Sequence, residues 1–181
     1  MDSNKNPYIA LNYPDFRFYI LTRICLIIGL QFQSVIVGWH IYSITRDPLS
    51  LGLIGLSEIL PNFAVTLFAG HYADIYNRKK IVHLCLFVLM FSGIFLFNIS
   101  HMSMPDSTRV MLMYACIAFT GLARGTLTPA MQSILTECVP KEHYVNSTTW
   151  NSTLWRIAFM TGAGLSGFVF AWFSYDAYLI M

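Results

Sequence analysis

The sequence predicts an all-α polytopic transmembrane helix bundle with five complete spans and the start of a sixth. Three observations carry that reading. Hydrophobic residues make up 56% of the chain and charged residues 11%, against roughly 25% charged in an ordinary soluble domain. Mean hydropathy is +0.56, more apolar surface than a soluble core of this length buries. The apolar residues also form continuous runs longer than the ~20 residues a helix needs to cross the hydrocarbon core. They do not alternate with polar residues, as the ~10-residue strands of a membrane barrel would. A net charge of +2 is too small to point to nucleic acid, so the partner is the lipid bilayer.

The spans are expected at about 18–42, 50–73, 81–98, 110–136 and 145–174. The first contains only Arg23, close enough to its cytoplasmic end to snorkel. It is too long for a cleavable signal peptide, whose apolar region is roughly 7–15 residues, and no small-x-small cleavage site follows it. The second span contains only Glu58, the third no Asp, Glu, Lys or Arg, the fourth only Arg124 and the fifth only Arg156. Short polar or turn-forming connectors, such as Thr45-Arg46-Asp47-Pro48, imply helical hairpins. Tyr178 to Met181 opens another apolar stretch. Residues 1–181 are therefore read as an amino-terminal transmembrane half-domain cut short in its sixth span, with a natural five-span protein as the alternative.

Orientation follows from the Lys/Arg bias of the short loops. Lys5 and Arg17 precede span one, Arg78, Lys79 and Lys80 follow span two, and Lys141 follows span four. The opposite connectors hold only Arg46 and Arg109. The cation-rich side is cytoplasmic, which puts the amino terminus inside the cell (inner) membrane.

The densest charge cluster lies in AGHYADIYNRKKI, between spans two and three. Gly70, Ala73, Asp74, Arg78 and Lys79 resemble the loop between helices two and three of the major facilitator superfamily, Gly-x-Leu-Ala-Asp-Arg-x-Gly-Arg-Lys. Ile75 replaces the first Arg of that motif and Asn77 its Gly, which Asn can do because it tolerates a left-handed turn. Gln33 to Trp39, Pro48 to Leu56 and Thr128-Pro129-Ala130 are similar to its siderophore and macrolide exporter branch. The resemblance implies a twelve-helix transporter in two halves, with a small-molecule solute bound between them midway through the membrane. The missing carboxy-terminal half would be the partner. Gly70, Asp74, Arg78 and Lys79 would then latch the halves on the cytoplasmic side, while Lys80 is read as a topology anchor.

Ionisable residues inside spans are costly and usually face a partner or an aqueous cavity. Glu58, Asn62 and Thr66 share one face of span two; Arg124, Thr128 and Gln132 share one of span four; Ser152 and Arg156 share one of span five. Glu58, Asn62, Arg124 and Arg156, with Gln33, are the candidate cavity and proton-coupling residues. Glu58 is the candidate proton carrier, because a carboxyl in apolar surroundings can exchange a proton as the cavity changes sides. Arg124 and Arg156 favour an anionic or phenolic solute, and Trp39 with the many Phe and Tyr residues suits an aromatic one. The competing reading of these charges is a set of Glu–Arg pairs that only hold the bundle together. Gly162, Gly164 and Gly167 in span five resemble a degraded Gly-Pro-x-x-Gly-Gly exporter signature, and small residues there also permit close helix packing.

The expected function is therefore alternating-access transport of a small organic solute, in the direction of proton-coupled export of a drug or siderophore-like compound. The alternative is a five-helix structural or regulatory membrane protein. Gly164-Leu165-Ser166-Gly167 also matches the Gly-x-Ser-Gly of rhomboid-like intramembrane proteases, but no His follows Ser166 to serve as its base. No His or Cys pair has metal-ligand spacing, so no enzyme, metal or cofactor is expected, and the four Cys read as small apolar residues.

Overall fold

The computed structural model describes residues 7–75 and 78–173, with side chains described except at 67–78. All the regular structure among them is helical. A 3-10 turn, Ile9–Asn12, leads into α1 (Pro14–Thr45), followed by α2 (Pro48–Ile75), α3 (Arg78–His101), α4 (Asp106–Cys138) and, after a second 3-10 turn at Lys141–His143, α5 (Tyr144–Phe173). Five helices are long and apolar enough to cross a membrane. The chain is an integral membrane helix bundle.

α1 to α4 extend beyond the apolar runs at both ends, because polar residues at the interface continue a helix at no cost in lipid. Pro14 starts α1, where its missing N–H is no loss. The same helix ends at Arg46, whose left-handed φ of 55° turns the chain, while its N–H closes on the Tyr42 carbonyl. Asp47 then accepts from the Leu49 N–H at 3.1 Å and opens α2. Pro61 and Pro129 sit inside unbroken helices.

α2 packs along α4, α1 along α5, and α3 along α4. Two apolar cores result, one toward each end of the bundle. Phe16, Tyr19, Val82, Leu127, Met131 and Leu135 belong to the first. Phe32, Ile36, Ile41, Leu96, Met113 and Ile117 belong to the second. The residues before α1 are tied to α5: Asn146 accepts from the Ala10 N–H and donates to the Pro7 carbonyl at 2.8 Å, and the Trp150 indole N–H donates to the same carbonyl at 2.7 Å. Arg23 donates to the Tyr19 hydroxyl at 3.0 Å.

Candidate functional site

One group of polar side chains, Gln33, Ser34, Glu58, Thr120 and Arg124, lies together between the two apolar cores. Glu58 lies ten residues into α2, about 15 Å along the helix axis and so at mid-membrane depth. Arg124 on α4 donates to its carboxylate, and a second guanidinium N–H donates to the Leu30 carbonyl of α1 at 3.3 Å. One side chain thus joins three helices. Both partners are about four-fifths buried, with side-chain exposures of 18% for Arg124 and 21% for Glu58.

The pair exists because α2 and α4 touch backbone to backbone. A Cβ on Gly121 would stand 2.5 Å from the Glu58 carbonyl oxygen, and one on Gly125 would stand 2.6 Å from that of Asn62. Only glycine fits at either place. Arg124 lies between these two glycines, so their contact with α2 also delivers the guanidinium to Glu58. The Gly-x-x-x-Gly spacing at 121–125 is the sequence signal for such an approach, and the reasoning from charge alone passed over it.

Asn62 and Thr66, one and two turns below Glu58, continue the contact. Thr66 donates to the Asn62 backbone carbonyl at 2.7 Å, with its Oγ 3.5 Å from the Gly125 carbonyl oxygen. Pro129 cannot donate to Gly125, so Thr66 supplies a polar neighbour where the helix leaves a carbonyl free. Thr128 donates back to the Arg124 carbonyl, and Gln132 on the same face is exposed.

Gln33 of α1 is 3% exposed, and its amide donates to Ser92 of α3 at 3.3 Å. Its carbonyl oxygen and the Arg124 Nε are buried with no hydrogen-bond partner among the described residues. Gln33, Ser34, Glu58, Thr120 and Arg124 border a cavity of about 10 Å³, roughly the space of one water molecule. Gln33, Glu58 and Arg124 are therefore brought together, and Ser92 and Thr120 join them. Neither hydroxyl is distinctive in the sequence, because each sits singly in an apolar run.

Arg156 lies apart from this cluster, exposed on α5 with Thr149, Ser152 and Thr153. Gly162 packs against α1, where an added Cβ would stand 3.1 Å from Gln31 Cβ and 3.2 Å from Ile28 Cα. At Gly164 and Gly167 an added Cβ would have no described atom within 4 Å. Gly70 and Asp74 fall in the last turns of α2 and Arg78 begins α3, but their side chains, like Asn77 between the helices, lie outside the described residues. Lys79 is exposed in the first turn of α3, and its carbonyl oxygen lies 2.6 Å from His83 Nδ1.

Residues 19–181 match the Major Facilitator Superfamily. The chain is 26% identical over 132 residues to the uncharacterized MFS-type transporter YkuC of Bacillus subtilis (strain 168), a match covering 70% of this chain and 28% of that protein. It is 19% identical over 157 residues to the staphyloferrin A transporter of Staphylococcus aureus (strain NCTC 8325 / PS 47), covering 86% of this chain and 38% of that protein. It thus spans well under half the length of these curated relatives. No solved structure matches it significantly. With five membrane-length helices and a family match over nearly the whole chain, the protein belongs to the major facilitator superfamily.

Proposed function

We propose that the chain is the amino-terminal half-domain of a secondary transporter that exports a small organic solute by alternating access in exchange for protons, with its amino terminus cytoplasmic. The single observation that carries this reading is the Glu58–Arg124 pair, held across α2 and α4 at mid-membrane depth beside Gln33. Relatives named as transporters, one of them for staphyloferrin A, support transport of a small organic solute.

The pair suits a proton-coupled role because its two states differ in charge while the helices stay in place. With Glu58 ionised, the guanidinium is held between the carboxylate and the Leu30 carbonyl. A proton on Glu58 removes the charge that holds Arg124. The glycine contacts keep α2 and α4 together, so the change is passed to α1 and Gln33 rather than lost in separation of the helices.

Glu58→Gln in the full-length protein tests the reading. Proton-driven transport is expected to be lost while the protein still inserts into the membrane. Unchanged proton-driven flux would remove Glu58 from the coupling role.

A further inference from the structure

α5 has two unlike faces. Ser147, Asn151, Ala158, Gly162 and Ser166 are buried on one, which packs on α1. On the other, Thr149, Ser152, Thr153 and Arg156 are exposed and line a shallow concavity of about 730 Å³. Arg156 follows Tyr144 by twelve residues, about 18 Å along the axis of a 30-residue helix, so its Cα is near the middle of the ~30 Å hydrocarbon core. A guanidinium there is too deep to reach the interface easily and too costly to leave in lipid.

The two deep arginines differ in what already holds them. The charge of Arg124 is matched by Glu58, and its N–H groups are engaged on two helices. Arg156 makes no hydrogen bond or ion pair among the described residues, and neither do the hydroxyls of Ser152 and Thr153 beside it. Thr149 is different, since it donates to the Val145 carbonyl at 2.9 Å. Three unengaged donors, one of them a planar cation able to bind two oxygens at once, therefore stand together on one exposed face.

We infer that this face of α5 is an anion-recognition site on the transport path, and that the solute is an organic anion. Its oxyanion group is bound by the guanidinium of Arg156 with Ser152 and Thr153 as further donors. Charge complementarity selects this occupant: the concavity carries one full positive charge and no carboxylate among its described lining residues, while Val145 and Ile157 give it apolar edges for the body of the solute. The inference rests on the transporter reading and sharpens it, because it assigns anion selectivity to Arg156 and withholds it from Arg124.

The test uses full-length protein in liposomes with an imposed proton gradient and three probes of matched size: 2-naphthoate, neutral 2-naphthamide and cationic 2-naphthylmethylammonium. Flux of 2-naphthoate in preference to the other two is expected. Arg156→Gln should raise its KM at least tenfold with a smaller change in kcat, and Arg156→Lys should fall between, since a lysine keeps the charge and loses the fork. Ser152→Ala should raise KM a few-fold. Flux of the amide or the ammonium in preference to the naphthoate overturns the inference, as does an unchanged naphthoate KM in well-folded Arg156→Gln. Recovery of Arg156→Gln by neutralising one carboxylate elsewhere in the full-length protein also overturns it, because Arg156 would then be a fixed ion-pair partner. Flux of none of the three probes in the wild type overturns this inference and leaves the transporter reading to the Glu58→Gln test.

Discussion

Arg124 of α4 donates to Glu58 of α2, and the backbone of Glu58 is the surface on which Gly121, three residues before Arg124, comes to rest. The ion pair and the helix contact are one structure. In the exporter proposed above, the charge that responds to protons is therefore mounted on the most tightly packed interface of the bundle.

Breaking one half of this pair should cost more than breaking both. Arg124→Gln leaves the Glu58 carboxylate without its cation, and leaving a mostly buried polar group unpaired costs roughly 1–3 kcal/mol, more when it is charged. In Glu58→Gln/Arg124→Gln two amides of similar size can bond to each other. The double variant is expected to regain at least half of the stability lost in Arg124→Gln, read as the midpoint of denaturant-induced unfolding of full-length protein in micelles. A strictly additive double variant would show that the two residues act independently.

The glycines make a sharper contrast. Gly125→Ala puts a methyl group 2.6 Å from a backbone oxygen that cannot move without shifting α2, so a loss of about 1–3 kcal/mol is expected, together with weaker pairing of Glu58 and Arg124. Gly164→Ala puts its methyl group where no described atom lies within 4 Å and should change stability by less than about 0.5 kcal/mol. Thermal unfolding of the two variants side by side checks this. Equal losses would show that the α2–α4 contact is not selective for glycine at position 125.

This contrast also marks how far the sequence could be read. The five helices were legible because each is a continuous apolar run, and Glu58, Arg124 and Arg156 stood out because each is a lone charge in such a run. Which helix meets which was not legible, since the contacts that join α2 to α4 and α1 to α5 lie far apart in sequence, as Glu58 and Arg124 do. Gly162 and Gly164 look alike in sequence, yet only the first meets a neighbouring backbone among the described residues. The tie between Pro7 and Asn146 had no sequence signal, because a backbone carbonyl carries none. Arg124 and Arg156 likewise read the same until the partner of the first was placed.

Membrane orientation can be tested independently of transport. Lys and Arg concentrate before α1 and after α2 and α4, and the proposed topology therefore has those ends in the cytoplasm. In a cysteine-free full-length background, a Cys placed at Ser103 should be labelled by an impermeant thiol reagent added outside intact cells, and one at Asn77 should be protected until the cells are opened. The reverse pattern would invert the proposed topology and with it the side on which protons enter.

Asp74, in the last turn of α2 and on its cytoplasmic end in the proposed topology, separates a latch from a topology signal. In the proposed half-domain its carboxylate lies where cations, or the positive amino-terminal end of a helix from the other half, can approach as the two halves close on the cytoplasmic side. Such contacts are worth typically ~0.3–1 kcal/mol when exposed and up to ~2 kcal/mol when partly buried. If the inward- and outward-facing states differ by only a few kcal/mol, removing ~1.4 kcal/mol from one of them shifts their ratio about tenfold. The loss falls on the outward-facing state, the one in which the cytoplasmic contact is made, so Asp74→Asn should favour the inward-facing state. In the proposed topology the neighbouring cations Arg78 and Lys79 fix orientation with or without a latch, so insertion is expected to be unaffected. Reactivity of a single cysteine placed at Ser152, probed from the cytoplasmic side of full-length protein, should rise several-fold in Asp74→Asn while transport slows. Equal reactivity with normal transport would leave Asp74 no latching role and reduce the whole stretch to fixing topology.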